Sequence, residues 1–211
     1  MKIALIGPTG MIGRRICQEA LSRGHQVTGL CRDPSPLSPH DGLTLRQADA
    51  TDPAVLQAAL DGHEAVISAF GPSKGTSPNA VVELTRTLAA ACMKSGVERA
   101  LVVNGAGSLS VEPGVELLST PGFPEAYKPV ALAHREALEL WRRVKELKWT
   151  LISPAAQIEP AARTGRYRTG HNDLLVDERG RSQISAEDFA VAVVDELEHA
   201  AHIRERITFA Y

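Results

Sequence analysis

The stretch Gly7-Pro8-Thr9-Gly10-Met11-Ile12-Gly13 sets the fold through what stands on either side of it. Before it is an apolar run, Ile3 to Ile6. After it, Met11 to Arg23 carries Ile12, Ile16 and Ala20 on one helical face, with Met11 and Leu21 flanking. The order is therefore strand, glycine turn, helix. Glycine lets backbone approach a ligand closely, and the first turn of a helix presents unpaired N–H groups with partial positive charge. Phosphate is the natural guest of such a turn. The spacing is G-x-x-G-x-x-G and not G-x-G-x-x-G, so the flanking strand and helix carry much of this reading. The competing reading is a tight turn whose glycines serve only helix–strand packing.

Outward from the turn, strands and helices alternate. Gly24 closes the first helix as a C′ residue, and His25 to Cys31, with β-branched Val27 and Thr28, makes a second strand ended by Arg32-Asp33-Pro34. Pro34 to Gly42 reads as a surface loop and Leu43 to Gln47 as a short strand. Asp52-Pro53 is an N-cap followed by Pro at N1, for a helix ending near Gly62. Ala65 to Ala69 is a fourth strand, Pro78 opens a helix running to Ser95, and Ala100 to Val103 is a fifth strand. This alternation predicts an α/β fold: a doubly wound, mostly parallel sheet with helices on both faces.

The second half is organised differently. Asn104 to Tyr127, rich in Gly and Pro, exceeds the roughly 12–15 residues beyond which structureless loops are usually functional or disordered. It starts at the C-terminal end of a strand, where open α/β sheets bind ligands, and reads as a substrate-side loop. A helix bearing Ala133, Ala137, Leu140, Val144 and Leu147 follows, then a sixth strand, Trp149 to Ile152, and a second irregular stretch, Pro154 to Asn172. Ser185 to Asp188 resembles a capping box for a helix with Phe189, Val193 and Leu197 inward, and Ile207 to Phe209 adds a last strand. The 211 residues make one domain with a small C-terminal substrate region.

Ligand contacts are expected at the strand ends. The turn offers Gly7, Thr9, Gly10, Met11, Ile12 and Gly13. Past the second strand, a dinucleotide fold reads the adenosine ribose with an acid for NAD or an Arg for the 2′-phosphate of NADP. Arg32 is the first charged residue there, while Asp33 before Pro34 suits a turn, so NADP(H) is expected over NAD(H). Asp49 and Ala50 follow the third strand, where Asp49 either meets the adenine edge or is a solvated turn carboxylate. Ser68, Ala69, Phe70 and Gly71 end the fourth strand, Asn104 and Gly105 the fifth, and Pro154 the sixth.

Composition narrows the classes of function. A formal net charge of −2 with no long run of like charge argues against nucleic acid and acidic membrane as partners. Cys17, Cys31 and Cys92 are odd in number and lack C-x-x-C spacing, which argues for buried thiols in a reducing compartment. Only four apolar residues precede Gly7, too few for a signal h-region, so a cytoplasmic location is expected. His199 and His202 have helix spacing without a third ligand, and no metal is expected. The oligomeric state is open between monomer and homodimer.

With the glycine turn, Arg32 and the sixth strand in place, the chain resembles the atypical short-chain dehydrogenase/reductase group. Asn104-Gly105-Ala106-Gly107-Ser108, Thr120-Pro121-Gly122-Phe123-Pro124 and Ser153-Pro154-Ala155-Ala156 look more narrowly like the NADH-flavin reductases related to biliverdin reductase B. The likeness covers nearly the whole chain. It implies a Rossmann-type fold, a reduced nicotinamide cofactor, and hydride delivery to FMN, FAD or a similar planar acceptor.

One departure matters. The wider superfamily uses Y-x-x-x-K, in which the lysine lowers the pKa of an acid tyrosine; here Tyr127 is followed four residues on by Ala131. Flavin reduction does not need that pair, because the cofactor carries the chemistry and the protein orients it. Three side chains are candidates at the reacting centre, each with a plainer reading. Ser108 lies where the superfamily places its serine and either donates to the acceptor or caps its loop. His134 either protonates substrate or touches a phosphate, or is a partly exposed helix histidine. Tyr127 either stacks at the pocket mouth or is an ordinary loop tyrosine. Arg163, Arg166 and Arg168 either engage a flavin phosphate or form a solvated basic loop. The rival to a reductase is a catalytically weak NADP(H) sensor read by a partner; a nucleotide-sugar epimerase is disfavoured by the small C-terminal region.

Overall fold

Successive residues of a strand point to opposite faces of a sheet, and β1 (Lys2–Ile6) buries both. Ile3 and Leu5 enter the layer shared by α1 (Met11–Ser22) and α5 (Ala186–His199). Ala4 and Ile6 enter the layer of α2 (Pro53–Leu60), α3 (Ala80–Ser95) and α4 (Lys128–Arg143). Burial on both faces is the mark of a central parallel strand. The computed structural model describes residues 1–35, 37–38, 40–72 and 76–211; Pro36 and Pro39 of the expected surface loop lie outside them.

Across the sheet the order is β3 (Leu43–Gln47), β2 (Gln26–Cys31), β1, β4 (Ala65–Ser68), β5 (Arg99–Val103), β8 (Lys148–Pro154), β12 (Glu205–Ala210) and β10 (Arg168–Gly170). Every pairing is parallel except β10 with β12. The chain steps outward from β1 to β3 and then returns to the other side of β1, so the strand order reverses between β1 and β4. Ligands bind at such a switch point. The expected doubly wound α/β architecture is what forms.

Local signals behave as their chemistry requires. Asp52 Oδ1 accepts from Ala54 N–H and Val55 N–H at 2.9 and 3.0 Å, with Pro53 opening α2. Ser185 Oγ accepts from Asp188 N–H at 2.9 Å and opens α5. Other boundaries differ. Pro78 sits in a turn, its carbonyl accepting from Val81, and α3 begins at Ala80. The chain turns extended at Val144, ψ 114°, so α4 stops at Arg143, and Leu147 is buried from the connection instead.

The two loops are also more ordered than expected. Asn104 to Tyr127 contains the hairpin β6 (Ser110–Glu112) and β7 (Val115–Glu116) and 3-10 turns at Leu117–Ser119 and Glu125–Tyr127. Pro154 to Asn172 contains β9 (Gln157–Glu159), which pairs in parallel with β11 (Gln183–Ser185). Strands of two or three residues are too short to show a period-2 pattern. Among the described residues no helix is long and apolar enough to cross a membrane.

Candidate functional site

Gly7 ends β1 at φ 78°, a left-handed conformation that favours glycine. Its N–H donates to Leu30 O, and its carbonyl accepts from Gly10 N–H at 3.2 Å, closing the turn. Gly10 is the N-cap of α1 and caps with no side chain, so the first-turn N–H groups keep their positive ends available. In front of them opens a cleft of about 440 Å³, walled by Gly7, Thr9, Gly10, Met11 and Ile12 on this side. An uncapped helix N-terminus behind a glycine turn fits a pyrophosphate. Gly13 is buried behind the cleft: a Cβ there would stand 2.0 Å from Gly7 O, so it serves the close approach of α1 to the turn.

The cleft continues past the next strand ends. Arg32, Asp49 and Ala50 wall one end, and Ala69, Phe70 and Gly71 the other. Asp33 Oδ1 accepts from Ser35 N–H at 3.0 Å, which ties this carboxylate to its own turn, and Arg32 stands on the cleft wall. Asp49 accepts from Thr51 Oγ1 at 2.7 Å and from Thr51 N–H at 3.0 Å; these bonds, with nearby Arg32, hold its carboxyl below the usual range. It is an exposed turn carboxylate on the cleft wall.

A second cleft, of about 800 Å³, lies past the end of β5. Gly105, Ala106 and Gly107 form its floor, Leu117 and the stretch Thr120 to Pro124 one wall, Val130 and Ala131 of α4 another, and Ala156 to Glu159 the last. Its size suits a drug-sized ligand, and it is largely apolar. Gly107 lets α4 dock, since a Cβ there would meet Ala131 Cβ at 2.7 Å. Against α3 and α4 is a small pocket of about 10 Å³, the size of one water, lined by Ser68, Phe70, Asn104 and His134 among others. It shares Phe70 with the first cleft and His134 with the second.

His134 is buried, not partly exposed, and its Nδ1 lies 2.7 Å from Asn104 Oδ1. A carbonyl oxygen only accepts, so Nδ1 carries the proton and Nε2 keeps its lone pair. Burial pushes the imidazole down to about 4. Burial thus favours the neutral imidazole, which weighs against a role as proton donor.

The remaining candidates separate clearly. Ser108 is buried and off the wall of either cleft; its Oγ accepts from Arg206 Nη1 at 2.9 Å, so it belongs to the framework. Tyr127 is at the rim of the second cleft and 65% exposed. Pro154 is buried opposite Phe209 in the sheet, and Ala156 is the residue that reaches the cleft. Arg163 forks onto Glu19 with two bonds of 2.9 Å, and Arg168 donates to Val176 O and Tyr211 O. Arg166 is exposed and off the cleft wall. His202 Nδ1 bonds Glu196 at 2.7 Å, and His199 Nδ1 contacts Asp195 O.

Residues that the sequence did not single out complete the site. Gln157, Ile158 and Glu159 wall the second cleft. Buried Arg206 holds both loops: Nη1 donates to Ser108 O at 3.0 Å, Nε to Asn172 Oδ1 at 3.0 Å and Nη2 to Asn172 O at 3.2 Å. Asp188 accepts from Thr164 N–H, Thr164 Oγ1, Gly165 N–H and Tyr211 OH, all within 2.8 Å, and so fixes the 154–172 loop to α5. No periodicity or spacing marks such long-range partners.

Comparison with known proteins agrees with this geometry. Residues 7–200 match the model of a family described as NAD(P)H-binding. The chain is 39% identical over 211 residues to the uncharacterised protein YwnB of Bacillus subtilis, covering 99% of this chain and 97% of that one. Among solved structures it is similar to a candidate exported protein of Burkholderia pseudomallei (51% identity, TM-score 0.92, 100% of both chains). It is also similar to a candidate epimerase of Bacteroides thetaiotaomicron (40%, 0.93, 100% of this chain and 96% of that one). A candidate NADH-flavin reductase of Streptococcus pneumoniae follows (35%, 0.88, 100% and 99%). The glycine turn, the strand order and these likenesses together show that the chain belongs to the NAD(P)H-binding family, as a Rossmann protein of the atypical short-chain dehydrogenase/reductase type.

Proposed function

We propose that the protein is an NAD(P)H-dependent reductase that passes hydride from the nicotinamide to a flat conjugated acceptor of the flavin kind. The observation that carries this reading is the pair of clefts at the C-terminal ends of β4 and β5, one behind the uncapped helix N-terminus and one largely apolar, each bordering the small pocket of Phe70 and His134. The α1 N-terminus and Arg32 would hold the phosphates, and Ala69 to Gly71 would steer the nicotinamide end towards the second cleft. When bound, the cofactor supplies the hydride and its electron pair. Leu117, Phe123, Pro124 and Ile158 sandwich a flat ring and exclude water, while His134 Nε2 accepts a hydrogen bond from it. Catalysis is then mainly orientation.

The acid–base character of the site supports a flavin over a carbonyl. Neutral His134 cannot protonate an alkoxide, and Tyr127 has no lysine four residues on. An epimerase, the activity named for the Bacteroides relative, needs such a group on a sugar hydroxyl. Stopped-flow oxidation of NADPH by free flavin is expected to run well above the enzyme-free blank; a rate equal to the blank overturns the reductase and leaves the sensor.

We assign NADP(H) as the preferred cofactor on Arg32 at the ribose end and on Asp33 being committed to its turn. Arg32→Ala is expected to weaken NADPH binding about tenfold by calorimetry, from loss of roughly 1.4 kcal/mol, and to leave NADH nearly unchanged. Equal losses for both cofactors would refute the assignment. A cytoplasmic setting is proposed on the three buried, unpaired thiols, against the export designation of the Burkholderia relative; cell fractionation tests it.

A further inference from the structure

We propose that the acceptor taken by the second cleft carries no phosphate: the site selects an uncharged conjugated ring system, such as unphosphorylated riboflavin or a quinone, over FMN. This rests on the reductase reading above and names its substrate class. The two clefts have opposite electrostatic character. The first has an uncapped helix N-terminus and Arg32. The wall of the second, among the described residues, has no Lys or Arg and one carboxylate, Glu159, set among Leu117, Phe123, Pro124, Val130 and Ile158, with His134 held towards its neutral form by burial.

Arg166 is exposed and off the cleft wall, and the other basic groups of the surrounding segments are engaged elsewhere. Arg163 forks onto Glu19, Arg168 donates to Val176 O and Tyr211 O, and Arg206 is bound to Ser108 and Asn172. On the α4 side, Lys128 pairs with Glu125 at 2.5 Å and Arg135 with Glu116 at 3.1 Å. A phosphomonoester brings a charge of about −1.5 to −2 at neutral pH. In this cleft it meets a carboxylate and an apolar wall, whereas a neutral ring system loses nothing there. The same contrast keeps the phosphate-bearing cofactor out of the acceptor site.

The test uses the full chain saturated with NADP⁺. Binding of riboflavin and of FMN is read by flavin fluorescence quenching, and kcat/KM for each is measured with NADPH. Riboflavin is expected to bind about tenfold more tightly than FMN at low salt, with the gap shrinking as salt rises. Glu159→Gln is expected to narrow the riboflavin-to-FMN ratio about threefold, as befits an exposed charge, and Glu159→Lys to narrow it further. FMN binding as tightly as riboflavin, or a ratio unmoved by either substitution, overturns the proposal alone. A preference for FMN that Arg166→Ala removes would locate a phosphate subsite at Arg166 and also overturns it. Failure of riboflavin, FMN and a simple 1,4-quinone to bind the cofactor-loaded protein overturns this proposal and the reductase reading together.

Discussion

Gly13→Ala is expected to lower the melting temperature by roughly 2–12 °C and to weaken NADPH binding at least about tenfold. The new Cβ would lie 2.0 Å from Gly7 O and 2.9 Å from Gly7 C, both backbone atoms of the turn, so no side chain can rotate aside. Relief requires α1 to move off β1. Ile16, Cys17 and Ala20 of α1 are buried in the core with α5, so the movement disturbs packing as well. Overpacking of this kind costs about 1–3 kcal/mol, and a domain of this size loses about 2–4 °C per kcal/mol. The same shift carries the first-turn N–H groups away from the phosphates. Gly10→Ala is the control, because its Cβ would meet only Gly7 O at 3.5 Å; a change of at most about 1 kcal/mol is expected there. Calorimetric titration and a thermal melt of both variants decide the matter, and equal behaviour of the two would refute the close-approach role of Gly13.

Asp188→Ala is expected to cost about 3–5 kcal/mol, the range for breaking a buried charged network. The carboxylate is fully buried and accepts from two N–H groups and two hydroxyls. Burial alone would raise its pKa, but the bonds from Thr164, Tyr211 and Gly165 outweigh it and hold the carboxyl below its ordinary 3.8. A carboxylate with a lowered folded pKa stabilises the protein above its unfolded pKa, and that contribution is lost as pH falls through the folded value. The stability gap between wild type and Asp188→Asn, measured by denaturant unfolding, should therefore be widest near neutrality and close below about pH 4. Asparagine keeps an oxygen for the Thr164 and Gly165 N–H groups, and the hydroxyls can rotate to accept from its amide. Its cost should be about half that of alanine. A gap that does not depend on pH would show that the charge is not what holds the loop.

These two residues show where sequence reasoning reaches and where it stops. The strand–turn–helix was legible because its evidence lies in one short run: four apolar residues, three glycines and a helical face. Asp52-Pro53 and the Ser185–Asp188 box were legible for the same reason, each cap bonding within three residues. The ranking of the glycines was not, since only the distance from Gly13 to Gly7 O separates packing from ligand contact. Ser108 was placed by position along the chain, yet its partner Arg206 lies 98 residues away, and no period or spacing links them. One of the two readings of His134 left it partly exposed, because the helix alone does not reveal Asn104, 30 residues earlier, as its buried partner. Asp188 was seen as half of a capping box; its second task needed the 154–172 loop to fold back on α5.

The joint at Arg206 bears on how the second cleft could be redesigned. Its guanidinium grips Ser108 and Asn172, neither of which is on the wall of the second cleft, while that wall comes from positions such as Leu117, Phe123, Val130 and Ile158. Scaffold and lining are thus separate sets of residues. Individual wall positions can be rewritten to admit new acceptors without loosening the scaffold. Grafting a whole loop from a relative is a different operation, because Ser108, Asn172 and Arg206 would have to be transplanted as a unit.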